Sequence, residues 1–227
     1  MKLKHHGIIV LLSFVLLGIF SVSLNSCDND ENVMSQVEKM KTEKNTYIYC
    51  SITADEYNAV FNKVRNTINH STRALGNEFT EAEAQVVLQP FIDDGISIQK
   101  QLISNKDELS LTIDDVESLN GMTDDQLAEM SFVLNSMCNG ALAQNVSFED
   151  VVGCLAYAAG IDDMRDVISM IGGGYRDTLP AGYYTGTKML MTAKTTKQLV
   201  KAFAKRTVGI VSIAWMMYDF GDCISKK

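Results

Sequence analysis

Apolar residues recur at helical spacing along most of the chain after residue 47. In the first such stretch, Tyr57, Phe61, Val64 and Ile68 follow one another every three or four positions, which predicts a helix with one apolar face. The same spacing predicts further helices that begin near residues 80, 112, 123, 147, 162 and 195. Few stretches alternate with the period of a strand, so the pattern predicts an all-α domain.

Hydroxyl residues mark the starts of these helices. Thr53 is followed three positions later by Glu56, a capping box in which the two side chains satisfy the first free backbone amides. The same spacing recurs at four later starts: Thr80 with Glu83, Thr112 with Asp115, Thr123 with Gln126, and Ser147 with Asp150. Asp162 and Asp163 open a sixth helix. Because so many starts carry a matching cap, we expect a compact multi-helix domain.

Other stretches interrupt the helical pattern. Pro90 should bend or break the second helix. The apolar run 47–52 fits either a short strand or buried chain, and a minor short hairpin is expected around residues 183–191. Residues 172–187 contain five glycines, a proline and three tyrosines, which predicts a glycine- and tyrosine-rich loop.

The C-terminal region combines a basic helix with an apolar one. Lys194, Lys197, Lys201 and Lys205 lie along one stripe of the helix predicted over residues 195–206. The eleven residues that follow from 208 to 218 are nearly all apolar. They are too few to span a bilayer, so we predict a buried helix at the centre of the fold with acidic helices packed around it.

The first 27 residues have the organisation of a secretory leader. Lys2 and Lys4 precede the apolar run 7–24, and the sequence Leu-Asn-Ser then leads directly to Cys27, in the order of regions that a leader requires. This segment resembles the leader of a bacterial lipoprotein, in which a peptidase cuts before a lipidated cysteine. The resemblance implies that Cys27 carries fatty chains such as palmitate that anchor the mature chain to a membrane. An uncleaved anchor and ordinary secretion are the alternatives.

Residues 28–32 read Asp-Asn-Asp-Glu-Asn and resemble the surface-export signal of Bacteroidetes-type lipoproteins. The resemblance implies a lipid-anchored protein of the outer membrane, exposed on the cell surface, with the periplasmic face as the alternative. Asp-Thr-Leu at 177–179 resembles the O-glycosylation acceptor of the same bacteria and implies a glycan on Thr178. The expected organisation is a leader at 1–26, a flexible acidic tether at 27–46, an acidic helical domain at 47–171, the loop at 172–187, and basic then apolar helices at 188–227 that pack into the same domain.

Charge is distributed unevenly along the chain. The formal net charge is −8, and it falls by two to −10 when the leader removes Lys2 and Lys4. From Arg176 onward nine basic and three acidic residues give +6. Such an asymmetry favours docking of the basic end onto the acidic helices, or an anionic partner. Nucleic acid is a poor candidate partner because the chain as a whole is acidic.

Four cysteines remain besides Cys27, namely Cys50, Cys138, Cys154 and Cys223. An even number in an extracytoplasmic chain permits two disulfides with three connectivities. Cys138 and Cys154 lie near one predicted helix joint, and a bond between Cys50 and Cys223 would tie the ends of the domain together. Four buried free thiols are the alternative.

The sequence shows no catalytic constellation. The mature chain has one histidine, His70, so metal sites built on two histidines are excluded, and no Gly-x-Ser-x-Gly elbow accompanies it. Most of the Asp-Asp pairs fall in the first turns of predicted helices, where the helix dipole favours carboxylates. We therefore predict neither a metal site nor a cofactor, and no enzymatic activity.

These observations favour an envelope lipoprotein that acts as a binding or structural module. Its expected partners are the membrane, through the lipid anchor, and a protein or glycan of unknown identity. The alternative is a membrane-active, bacteriocin-like effector, because a basic amphipathic helix that runs into an apolar one resembles a membrane-active peptide.

Overall fold

The computed structural model describes residues 45–73, 79–140, 146–159 and 188–227. Within these ranges the chain forms seven α-helices and a two-stranded sheet, which confirms the all-α prediction with a minor strand pair. In chain order the elements are β1 (Asn45–Tyr49), α1 (Ala54–Arg73), α2 (Glu81–Ser104), α3 (Ile113–Asn120), α4 (Asp124–Asn135), α5 (Phe148–Ala159), β2 (Lys188–Thr192), α6 (Ala193–Ala204) and α7 (Ile210–Ile224). A π-helical turn, Ser136–Gly140, continues α4.

Several predictions fall outside the described residues. The leader, Cys27, the tether as far as residue 44, the helix predicted from Asp162, and the whole loop at 172–187 with its Thr178 all lie there. His70 lies within α1. β1 begins at Asn45, so the last two residues assigned to the tether belong to a strand.

The five predicted caps are confirmed. Thr53 and Glu56 form reciprocal hydrogen bonds at the start of α1. The capping boxes of α2, α3 and α4 are complete. At the start of α5, the backbone amide of Asp150 donates to Ser147 Oγ, whose hydroxyl donates to the Asp150 carboxylate. These local bonds set where each helix begins, and therefore which of its faces meets the core.

The predicted break at Pro90 does not occur, and the bend remains a prediction. α2 continues through Pro90 to Ser104. Pro90 lies on the exposed side of the helix, where water can satisfy the carbonyl left without an N–H donor. The opposite side of α2, which carries Leu88, Phe91 and Ile98, is fully buried and holds the helix together across the proline.

β1 and β2 pair in an antiparallel register in which Asn45 faces Thr192 and Tyr49 faces Lys188. Residues 188–191 of the predicted hairpin therefore belong to β2, and their partner strand is β1 rather than a neighbouring segment. Ile48 and Met191 are fully buried beneath the sheet, so the sheet joins the beginning and the C-terminal part of the described chain.

A row of buried aromatic rings crosses the domain. Tyr57 of α1, Phe91 of α2, Phe132 of α4 and Phe220 of α7 meet edge to face in succession, with centroids 5.8 to 6.0 Å apart. The apolar C-terminal helix predicted at 208–218 is α7, which packs against α1, α2, α4 and α5. Its prediction as a core helix is thus confirmed, although it extends to Ile224.

Candidate functional site

The outer side of α7 carries an aromatic surface. Trp215, the only tryptophan of the chain, is 38% exposed, and its ring meets that of Tyr218 edge to face with centroids 5.7 Å apart. Tyr157 on α5 is 72% exposed. Tyr157 and Tyr218 both lie near enough to the Lys226 ammonium to act on it electrostatically. We call Trp215, Tyr218 and Tyr157 the aromatic face.

Polar groups border the aromatic face. The hydroxyl of Tyr218 donates to Asn69 Oδ1 of α1 at 3.2 Å. Lys226 Nζ lies 2.5 Å from Asp222 Oδ2, and this hydrogen-bonded carboxylate raises the pKa of Lys226. Aromatic side chains with a polar edge are typical of interfaces, because they offer contact area and hydrogen bonds together.

A disulfide between Cys154 and Cys223 joins α5 to the end of α7. Neither Cys138–Cys154 nor Cys50–Cys223, the pairings favoured by sequence position, occurs. Sequence position did not predict the correct pairing because the end of α7 packs along α5, which places Cys223 beside Cys154. The bond thereby ties the helix of Tyr157, which lies one turn after Cys154, to the helix of Trp215.

A buried carboxylate connects three parts of the fold. Asp94 of α2 is fully buried, and its Oδ1 accepts hydrogen bonds from the backbone amide and the hydroxyl of Ser51. Its Oδ2 accepts from Ser131 Oγ and Asn135 Nδ2 of α4, both at 2.7 Å. Four donors compensate for the lost hydration of the carboxylate, so Asp94 ties the segment after β1 to α4.

Two free thiols lie beside this cluster. Cys50 and Cys138 are each 2% exposed, and their side chains lie near one another. Contact with Cys138, burial and the nearby charge of Asp94 together raise the pKa of the Cys50 thiol well above its ordinary value. As folded, Cys50 is therefore a protonated, poorly nucleophilic thiol.

A second buried carboxylate, Glu129 of α4, faces a cation. Its Oε1 lies 3.0 Å from Arg206 Nη1, and the Glu129 side chain is fully buried. Burial raises the pKa of Glu129 to about 7 despite the opposing charge of Arg206. The segment of Arg206 is held by Gln126, whose amide donates to the carbonyls of Ala204 and Arg206. The pair thus marks where the loop after α6 meets α4.

Asp94 and Glu129 were missed by the sequence analysis, although a signal for Asp94 existed. Asp94 falls three residues after Phe91 and four before Ile98, on the apolar face of α2, whereas Asp93 is exposed. A carboxylate at an apolar-face position signals a buried polar cluster. The pairs Asp114-Asp115 and Asp124-Asp125 do occupy first turns of helices, as predicted.

The described part of the chain contains neither a cluster of metal-binding side chains nor a helix able to span a membrane. No group of three or more His, Cys, Asp or Glu side chains there is arranged to hold a metal ion. None of the helices in residues 45–73, 79–140, 146–159 and 188–227 has both the length and the apolar character needed to cross a bilayer. No family model matches the chain, and no curated protein or solved structure matches it significantly.

Proposed function

We propose that the chain is a bacterial envelope lipoprotein whose helical domain is a non-catalytic binding module. Cys27 would hold the domain to the outer membrane, on the cell surface, and the aromatic face would meet a protein or glycan partner. The leader that ends in Leu-Asn-Ser-Cys supports the address. The disulfide between Cys154 and Cys223 is consistent with it, because disulfides persist in oxidising compartments.

The exposure of Trp215 carries the proposed binding role. A helix that packs on four others has enough neighbours to bury a tryptophan, yet the chain's only one remains 38% exposed on α7. Tyr218 supports its ring from the side. Tryptophan and tyrosine are enriched among the residues that dominate binding energy, because they bury a large area at small entropic cost.

Binding is tested with the full lipidated chain solubilised in detergent. The probes are purified surface polysaccharide and solubilised outer-membrane proteins of a Bacteroidetes-type bacterium. We expect Trp215→Ala to weaken retention of one probe by about thirty-fold, the equivalent of about 2 kcal/mol for a residue that dominates an interface. The control is Tyr49→Ala, which removes an exposed ring from β1. Equal loss of binding in both variants, or no loss of binding in either, would refute the role of the aromatic face.

The address is tested separately. We expect radiolabelled palmitate to enter the parent chain and not Cys27→Ala, and only the parent to sediment with outer membranes. Membrane fractionation of Cys27→Ala identical to that of the parent would contradict the anchor.

The membrane-active alternative is less well supported by the fold. The apolar side of α7, including Ile213, Met217 and Phe220, is fully buried in the domain. Against the opposing effect of burial, hydrogen bonds from Thr112 lower the pKa of Asp115, and the α6 lysines Lys197 and Lys201 lie near enough to that carboxyl to add to the effect. Dye release from anionic phospholipid vesicles by the full chain would favour the effector instead.

A further inference from the structure

Cys50 and Cys138 meet in the interior although they lie far apart in the sequence. Cys50 directly follows β1 and Cys138 belongs to the turn after α4. Both are almost fully buried, and their side chains lie near one another. With Cys154 and Cys223 already joined, they are the two cysteines left in the described part of the chain.

Polar contacts on both sides hold the two thiols together. Next to Cys50, Ser51 is bound to the buried Asp94, and Asp94 also accepts from Asn135, one turn before Cys138. On the other side, the hydroxyls of Tyr57 and Ser136 lie 2.7 Å apart in the interior. The segment of Cys50 and the end of α4 are therefore fixed to one another independently of the cysteines.

We propose that Cys50 and Cys138 form a second disulfide in the mature protein. The segments that carry the two thiols are joined through the same buried carboxylate, Asp94, so a side-chain movement can bring the sulfur atoms to bonding distance. Of the three connectivities that four cysteines allow, the bond between Cys154 and Cys223 leaves only this one. The proposal rests on the proposed envelope location, because disulfides seldom persist in the cytosol.

The oxidant is a disulfide, either oxidised glutathione or a thiol–disulfide oxidoreductase. The Cys50 thiolate attacks one sulfur of that disulfide and releases one thiolate, which leaves a mixed disulfide on Cys50. The Cys138 thiolate then attacks the Cys50 sulfur and releases the second thiolate. Two cysteine thiols are oxidised, the oxidant is reduced to two thiols, and the two cysteine protons pass to the released thiolates. Burial and the raised pKa of Cys50 make this slow once the chain is folded, so oxidation accompanies folding.

The bond would have a mechanical consequence. The lipid anchor at Cys27 precedes β1 in the sequence, so force on the tether reaches the domain through β1. A covalent link from Cys50 to Cys138 would pass that force to α4 rather than to the two-stranded sheet alone. Because Cys50 follows β1, the second disulfide would stop unfolding at that point even after the tether had pulled β1 from β2.

Cysteine mapping on the full lipidated chain tests the proposal. The chain is purified from envelopes, unfolded with an alkylating agent and no reductant, and digested for mass spectrometry. We expect a linked pair of peptides containing Cys50 and Cys138 and no alkylated cysteine. Alkylated Cys50 and Cys138 beside an intact bond between Cys154 and Cys223 would overturn the proposal. Palmitate labelling of the same sample reports on the lipid anchor, so absence of the second disulfide can be distinguished from failure of the proposed envelope location.

A stability measurement gives a second readout. In Cys154→Ala/Cys223→Ala, the proposed bond is the only disulfide left, and we expect reductant to lower the denaturation midpoint. In the matched Cys50→Ala/Cys138→Ala variant, reductant should lower the midpoint only by breaking the bond between Cys154 and Cys223. An unchanged midpoint in the first variant would contradict the proposal, and mapping on the parent chain decides the question if that variant does not fold.

Discussion

The buried pair of Glu129 and Arg206 predicts a pH dependence of stability that opposes the usual behaviour of carboxylates. Burial raises the pKa of Glu129 from an ordinary 4.5 to about 7, so between these values the folded chain holds a proton that the unfolded chain has released. The free energy of unfolding therefore falls as the pH rises from 4.5 to 7, and levels off above 7. A shift of about 2.5 pKa units corresponds to about 3 kcal/mol.

The perturbation that isolates this effect is Glu129→Gln. Glutamine keeps the shape of the side chain and cannot ionise. At acid pH Glu129 of the parent is protonated, so Arg206 has no anionic partner in either protein and contributes equally to the stability of both. We expect the free energy of unfolding of the variant, relative to the parent, to increase by about 3 kcal/mol between pH 4.5 and pH 8. The assay is urea denaturation at several pH values, followed by the fluorescence of Trp215.

The control is Glu56→Gln, which removes an exposed capping carboxylate. Hydrogen bonds from the backbone amide and hydroxyl of Thr53 lower the pKa of Glu56. A lowered pKa stabilises the folded chain above the ordinary value of 4.5 and loses that effect only as the pH falls below it, so the stability of this variant relative to the parent should change little between pH 4.5 and pH 8. Parallel pH profiles for the parent and Glu129→Gln would refute the raised pKa of Glu129.

Two further substitutions test the packing of α2 on α4. At Gly95→Ala the new Cβ would collide with the backbone of Leu127, and we expect the free energy of unfolding, measured by urea denaturation, to fall by at least about 1–3 kcal/mol. At Gly153→Ala nothing lies within 4 Å of the new Cβ, so the free energy of unfolding should instead rise by up to about 1 kcal/mol. Equal effects would contradict the close approach of α2 to α4. Asp94→Ala leaves four donors without their acceptor, two of them buried on α4, and should cost about 3 kcal/mol or more. Asp93→Ala on the exposed side should change stability by less than about 0.5 kcal/mol; similar losses would show that Asp94 does not organise the cluster.

The sequence predicted those features whose causes are local. Thr80 and Glu83 cap α2 because both partners lie within one turn, and the burial of Phe91 follows from the period of the helix. The role of Asp94 depends on Ser51 and Asn135, which come from other elements, so no pattern within α2 could identify its partners. The cysteine connectivity depends in the same way on how the helices pack.

The aromatic face also escaped prediction, for a related reason. Trp215 lies in an apolar run that predicts a buried helix, and most of α7 is indeed buried. Exposure at one position depends on which neighbours cover that side of the helix. Tyr157 stands on α5, and only the packing of α5 along α7 brings it to the same region of the surface.

The distribution of charge now bears on which surface is free to bind. Arg206 is paired with Glu129 at 3.0 Å and Lys227 with Asp150 at 3.5 Å. The basic end of the chain is thus docked on its acidic helices. Exposed pairs contribute little to stability, so the buried apolar side of α7 supplies most of the attachment. Because Arg206 and Lys227 already have partners within the chain, we expect the aromatic face rather than these cations to select the binding partner.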